Sequence, residues 1–370
     1  MNRGVNRHTQ AFRDMRVFNN WNVVARGWYI ACKGGDLPPA SVKSIEICGQ
    51  RIAVFRDQKG KTHALDGFCP HMGADLGLGK VKGDRLQCFF HQWSFDPAGN
   101  CVDIPCLATP SPLHGKARLQ AYATEEKYGF VWIYPAGKAP FGVADIPDLE
   151  GKKLVFRHGK AFERRCHHHI NMINGIDAQH LRTVHQINID MNVDIELRDQ
   201  NTALDITMRG EFPGKTRRER LGRFLLGRRY EYKMRYADGC IGALSIMRGV
   251  YLFGGKRKLP HLNMIYAYQP VKGGARVQPI YVAEKRSGIW GGIKSYFLMW
   301  MMQIAYFALR DEDGFVYDNI RFNPEALLPI DRPVARYMAY VNALEPSIWS
   351  ADWKKEQTER VSPLQSNSAA

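Results

Sequence analysis

The chain has 370 residues, 45% of them hydrophobic, eight cysteines and a formal net charge of +16. That is enough apolar material for a substantial core and, by length, roughly two domains, which excludes wholesale disorder and a small disulfide-stapled scaffold. The positive balance fits nucleic acid, an anionic membrane surface or an acidic protein as partner, and equally a plain basic surface; composition does not choose among them.

The first twenty residues read as a basic, loosely held arm without the apolar run of a secretory signal. The setting expected from this is reducing and cytoplasmic, where thiolates survive as metal ligands. Residues 21–140 form the first expected domain. Its runs WYIAC, SIEICGQRIAVFRD, THALDGFC, DRLQCFF and YGFVWIYP are β-branched and aromatic, bounded by Gly, Asp and Pro, so the domain should be all-β. Turns are expected at Gly49-Gln50 and Lys59-Gly60. Positions 135–150 are rich in Pro, Gly and Ala and read as a linker.

A second domain is expected over 141–353. Its strand-like runs are KLVFRHG, AFERRCHHHI, TALDITMRGEF, YEYKMRYAD, HLNMIYAYQPV and RVQPIYVAE, interrupted by helical segments near 171–181 and 290–309. This pattern gives an α+β fold, an antiparallel sheet covered by helices. Ser295 to Leu309 is uncharged but falls short of the about 20 residues a membrane span needs. A buried helix is expected there rather than a membrane-touching face, with Phe297, Trp300, Met301 and Ile304 as candidate pocket wall. The Arg-dense stretch PGKTRRERLGRFLLGRR reads as a solvated face, and 354–370 as a polar, disordered tail. Internal repeats are absent.

Two constellations carry chemistry. Cys69-Pro70-His71 is followed, after sixteen residues, by Cys88-Phe89-Phe90-His91. Two thiolates on one iron and two imidazoles on the other make a Rieske [2Fe–2S] centre, in which neutral nitrogen raises the reduction potential. Structural zinc takes the same ligand types, but its pairs usually come as C-x2–4-C with H-x3–5-H, not as alternating Cys and His. Cys101 and Cys106 lie outside the pattern and read as small buried residues. The second constellation is Asp177-x-x-His180-x4-His185. Two His and a carboxylate on one face of Fe(II) leave positions open for O2 and substrate. His180 and His185 are five apart, about 140° around a regular helix, so both reach one metal only if the helix breaks or widens between Leu181 and His185. His167-His168-His169, taken as part of a strand, would alternate between faces and therefore serve as hydrogen-bonded or pocket-lining residues rather than as one ligand set.

The stretch FCPHMGADLGLG…GDRLQCFFHQWSFDPAGNCVDIP resembles the Rieske domain of the ring-hydroxylating, non-heme iron oxygenases, and the likeness extends over about 20–325. Its closest flavour is the branch with aminopyrrolnitrin oxygenase and the sterol-type monooxygenases. The resemblance implies that Cys69 and Cys88 hold one cluster iron and His71 and His91 the other, with Trp93 beside the second His. It implies His180 and His185 as ligands of a mononuclear iron in a helix-grip-like domain. The third ligand is expected from DEDGFVYDN: Asp313, with Asp311 as the alternative and Glu312 pointing elsewhere. Asn174 matches a polar position near the iron, and Ile173 stands where relatives often carry an acid. Asp177 would bridge the iron site to a cluster His of a neighbouring subunit in a homotrimer.

The function implied is oxidation of a hydrophobic, aromatic or polycyclic substrate with O2 and two electrons. No Gly-rich nicotinamide or flavin fingerprint is present, so electrons would come from a ferredoxin or ferredoxin reductase, and NAD(P)H would act only indirectly. N-oxygenation, demethylation or oxidative cyclisation would use the same ligands. A Rieske electron carrier is the rival from another class, but the second domain is larger than a carrier needs. No nucleic-acid module is recognisable.

Overall fold

The computed structural model describes residues 16–107, 114–185, 189–211, 217–226, 229–248, 250–252 and 257–359. The chain divides into two compact units: Trp21–Val143 with Pro346–Ala370, and Met1–Asn20 with Ala144–Glu345.

The first unit is built from ten strands in two antiparallel sheets. β1 (Tyr29–Lys33), β2 (Ser41–Ile47), β3 (Gln50–Arg56) and β4 (Thr62–Asp66) precede a small four-stranded sheet of β5 (Lys80–Lys82), β6 (Arg85–Gln87), β7 (Ser94–Phe95) and β8 (Cys101–Asp103). β9 (Ala121–Lys127) and β10 (Phe130–Tyr134) complete the larger sheet, whose order is β1-β10-β9-β4-β3-β2. The sequence FVWIY of β10 is apolar at every position because the strand is buried on both faces. The β2–β3 hairpin turns on Cys48 and Gly49, both at positive φ (48° and 76°), one residue earlier than the sequence suggested. Positive φ at both central residues is the turn whose twist suits a two-residue hairpin.

The C-terminal helix Ser350–Glu359 belongs to this unit. Trp349 packs against Tyr29 and Tyr122, and Trp353 donates to the Trp21 carbonyl. Positions 354–359, expected to be disordered, are therefore helical, because the two tryptophans give the segment an apolar anchor; 360–370 lie outside the described residues.

In the second unit β11 (Leu154–His158), β12 (Phe162–Arg164), β13 (Asp190–Arg198), β14 (Ala203–Glu211), β15 (Arg229–Ala237), β16 (Ile241–Arg248), β19 (Leu262–Val271) and β20 (Gly274–Glu284) form one eight-stranded antiparallel sheet; the pair β17 (Tyr251–Leu252) and β18 (Arg257–Lys258) stands apart. The helices are α1 (His168–Ile173), α2 (Ala178–Thr183), α3 (Arg217–Leu226), α4 (Gly288–Tyr317) and α5 (Arg332–Ala343). α4 packs on β19, β20 and β11 and covers the sheet. The run AFERRCHHHI does not continue as a strand: β12 ends at Arg164, and His167 caps α1 by accepting the His169 backbone N–H. β13 and β16 are strands that the pattern of β-branched and aromatic runs does not reveal, because both carry several polar or small residues. Of the N-terminal arm, Val17 and Phe18 are buried and both donate their backbone N–H groups to Asn342 Oδ1; the residues before Arg16 lie outside the described ones.

Candidate metal centres

The loops after β4 and β6 bring the first constellation together. Cys69 and Cys88 are buried in the core of the first unit with Phe55, Leu65, Leu86 and Phe95, whereas His71 and His91 lie on the exposed rim. The imidazole centroids are 4.6 Å apart, and Trp93 stacks flat on His71 at 4.4 Å. The two thiols interact directly, and the His71 backbone N–H donates to Cys69 sulfur. Burial pushes the Cys69 thiol up to about 11, so the pair needs a metal to hold it as thiolates. Sulfur inside and nitrogen outside is a donor set that fits a Rieske cluster, with the His-bound edge toward solvent. Cys101 is a buried neighbour of Cys69, but Cys106 is exposed, contrary to expectation; both are free.

The second constellation forms in the other unit, at the junction of α1 and α2 with the far end of α4. Asp177 is the N-cap of α2: its Oδ1 accepts the backbone N–H groups of Gln179 (2.8 Å) and His180 (3.3 Å). The helix stops at Thr183, and the His185 N–H reaches back five residues to the His180 carbonyl at 3.3 Å. That wider turn brings both rings to one side, with centroids 5.1 Å apart. Upstream, the hydroxyls of Tyr236 and Tyr232 on β15 hold the Met172 and Gly175 carbonyls. Gly175 is required there, because a Cβ would lie 2.3 Å from the Tyr236 hydroxyl.

Ligand atoms of His180, His185 and Asp313 all lie within 4.8 Å of one another. The placement of ring protons follows from the partners. His180 Nδ1 donates to the Asp177 carbonyl at 2.5 Å, and His185 Nδ1 donates to Glu312 Oε2 at 2.8 Å. Both Nε2 atoms are then lone pairs. His185 Nε2 faces Asp313 Oδ1 at 2.9 Å, yet that oxygen, buried, has no hydrogen-bond partner. Two acceptors at this separation repel unless a cation binds both, so the orphaned oxygen and the two lone pairs fit a divalent metal. Burial also holds the His180 imidazole below its ordinary value, keeping it neutral as a ligand must be. Asn174 Nδ2 donates to Asp313 Oδ2 at 2.7 Å and fixes the carboxylate.

Asp311 pairs with Arg310 and takes no part. Glu312 does not point away from the site: it holds the outer nitrogen of His185, a role that sequence reasoning missed although the DED triplet displays the residue. Nor does the Asp177 side chain hold the His180 ring; its carbonyl does, because the carboxylate is engaged in capping the helix.

An apolar cavity of about 150 Å³ opens beside the three ligands. Its wall includes Met172, Met191, Met234, Leu244, Tyr266 and Tyr268, with Met302, Ala305, Tyr306 and Leu309 from α4. The four residues expected from α4 do not line it: Phe297, Trp300 and Ile304 are exposed, and Met301 lies on their side of the helix. The helix is apolar nearly all round, and sequence did not show which stripe faces inward.

A third cluster, His167, His168 and His169, is completely buried. Burial pushes His167 down to about 3 and lowers the other two. His167 Nδ1 accepts the His169 N–H, and His169 Nδ1 accepts the Asn19 N–H.

The chain is similar to known proteins in sequence over part of its length and in fold over most of it. The profile of the Rieske [2Fe–2S] domain matches residues 27–123. A cholesterol 7-desaturase of Ciona intestinalis is 36% identical over 167 residues, which is 44% of this chain and 35% of the relative. The oxygenase component of a Rhodococcus rhodochrous 3-ketosteroid-9-alpha-monooxygenase is 39% identical over 129 residues, 34% of this chain and 32% of that protein. The chain thus spans about a third of the length of these curated relatives. In structure, dicamba monooxygenase bound to dicamba superposes with a TM-score of 0.58 at 18% identity, covering 86% of this chain and 98% of the other; Pseudomonas putida NdmB gives 0.60 at 17% identity, covering 86% and 90%. Residues 27–123 thus match a Rieske [2Fe–2S] domain, and the fold of the chain is similar to that of dicamba monooxygenase and NdmB.

Proposed function

We propose that the chain is a Rieske-type oxygenase that oxidises a hydrophobic substrate with O2 and two electrons from an external ferredoxin or ferredoxin reductase. The observation that carries this is the convergence of His180, His185 and Asp313 beside an apolar cavity, in a chain whose other unit holds the cluster loops. Iron bound at the two sites would store and pass electrons and activate O2. The protein's own part is positional. Asp177 carbonyl and Glu312 fix the two rings with their lone pairs inward, Asn174 aims the carboxylate, and the Met and Tyr wall excludes water.

The cavity as it stands has room for about one aromatic ring. A polycyclic guest, such as the steroids named for the relatives, requires Met191, Met234 or Met302 to swing aside, which unbranched thioethers do at small cost. C-hydroxylation, N-oxygenation, demethylation and cyclisation all remain compatible with this ligand set. The exposed His71 and His91 suit electron transfer across a subunit boundary, and Asp177 Oδ2, unused in the cap, is the acceptor for a cluster imidazole of a neighbouring copy in a homotrimer. Asp177→Asn preserves the cap and should leave both metals in place while slowing reduction of the mononuclear iron; fast single-turnover reduction would remove this role.

The deciding experiment is EPR on anaerobic, iron-replete protein reduced with dithionite and then exposed to nitric oxide. A reduced Rieske signal together with a high-spin iron–nitrosyl signal is expected. The Rieske signal alone points to an electron carrier, and the absence of both signals overturns the proposal.

A further inference from the structure

α4 presents a second, outward face that the metal site does not use. Ile289, Trp290, Ile293 and Tyr296 are exposed on its first turns, the first two at 84% and 83%. Phe297, Trp300, Ile304 and Phe307 continue the stripe. At about 100° per residue the eight fall within an arc of roughly 120°, some 27 Å long. The buried positions Ser295, Leu298, Met302 and Tyr306 lie opposite. An aromatic-rich apolar strip of this size on a water-exposed helix marks a contact surface.

Charge says what covers it. From Lys285 to Arg310 the chain has four basic residues and no Asp or Glu. Lys285, Arg286 and Lys294 are exposed at the start and flank of the stripe and make no ion pair among the described residues, and Arg157 lies over the Tyr296 ring. The acids that follow at the far end of the helix, Asp311 and Glu312, are engaged by Arg310 and His185, so a second copy docked face to face would offer these cations no free acid from α4. An anionic lipid surface meets both features at once: Trp and Tyr settle at headgroup level while the Lys and Arg side chains pair with lipid phosphates. No described helix is long and apolar enough to cross a membrane, so the mode is lying on the surface, not spanning it. α3 repeats the chemistry on a smaller scale, with exposed Leu221 and Phe224 among Arg217, Arg220 and Arg223.

We infer that the outer face of α4 docks the protein on an anionic bilayer surface. The inference rests on the helix alone and stands or falls independently of the reaction at the iron. The test is co-sedimentation of the full chain with phosphatidylcholine vesicles, with and without phosphatidylserine. Binding to the phosphatidylserine vesicles is expected, weakened by salt. The double variant Trp290→Ser/Trp300→Ser should lose about tenfold in vesicle affinity. Lys285→Glu/Lys294→Glu should lose affinity for the anionic vesicles alone. All four positions are exposed, and an unchanged far-UV circular dichroism spectrum and thermal unfolding profile would confirm that each variant is folded. Wild-type protein that stays in the supernatant with both vesicles overturns the inference. So does wild-type affinity in the Ser double variant, which would assign binding elsewhere. A change of oligomeric state in that variant, by light scattering, with vesicle binding intact, would give the face to a second copy instead.

Discussion

The second unit holds two histidine clusters within twenty residues of one another in sequence, and each brings three possible ligand atoms within 4.8 Å. What separates them is where the ring protons sit. At His180 and His185 each Nδ1–H is spent on an oxygen acceptor, so both Nε2 lone pairs face a buried carboxylate oxygen that lacks a donor. In the triplet, His167 and His169 use Nδ1 to accept backbone N–H groups, which places their protons on Nε2. His168 hydrogen-bonds the Gly239 backbone and keeps one ring nitrogen over, and among the described residues no carboxylate joins the set. A metal centre needs lone pairs aimed at one point; proximity of imidazoles does not by itself supply them.

The sharpest way to break this comparison is to remove the charge. Asp313→Ala should abolish iron at the mononuclear site while leaving the cluster intact: the nitrosyl EPR signal disappears and the reduced Rieske signal remains. Retention of both signals would return the third ligand to Asp311. Glu312→Gln acts one bond further out. It keeps a hydrogen-bond acceptor for His185 but lowers that ring's basicity, so iron affinity should fall about 10- to 100-fold, measured by chelator competition. An unchanged affinity would mean that the exposed Glu312 carboxylate is too well solvated to tune the ring. His168→Leu should leave iron content and both EPR signals as they are, and a loss of iron in that variant would erase the distinction.

These differences were only partly legible in the sequence. The C-x-H and C-x-x-H pairs were, because a cluster takes its ligands from two short loops whose spacing is local. The widened turn before His185 was too, since five residues on a regular helix cannot point two rings at one atom; its sign is the His185 N–H on the His180 carbonyl. The pocket face of α4 was not. With Phe297, Trp300 and Ile304 as apolar as Met302, Tyr306 and Leu309, periodicity offers two stripes and no means of choosing, and the sheet beneath decides. His167-His168-His169 were misplaced for a related reason. Read as a strand they alternate faces, but β12 ends at Arg164 and His167 caps a helix, so the three rings gather. The role of Glu312 is not legible either: spacing shows which acid can meet the metal, whereas the acid that holds the far nitrogen of His185 is chosen by how α4 lies against α2.

The triplet makes a prediction of its own, the smallest in effect and the most specific to buried, neutral imidazoles. Burial pushes His167 down to about 3 and moves His168 and His169 in the same direction, so none takes up a proton near the ordinary histidine value in the folded state. In the unfolded chain each protonates near about 6.5. Below that pH the unfolded state binds more protons than the folded one, and stability falls as pH falls; above it the contribution is constant. Each such histidine adds a slope of about 1.4 kcal/mol per pH unit between its unfolded and folded values. His167→Asn retains a good N-cap for α1 but cannot titrate. Its urea unfolding free energy, measured from pH 7 down to pH 5, should therefore decline less steeply than wild type by about one proton's worth. An identical decline would mean that His167 is protonated in the folded state as readily as in the unfolded one, and the cluster would then be a hydrated cation pocket rather than a sealed, neutral packing unit.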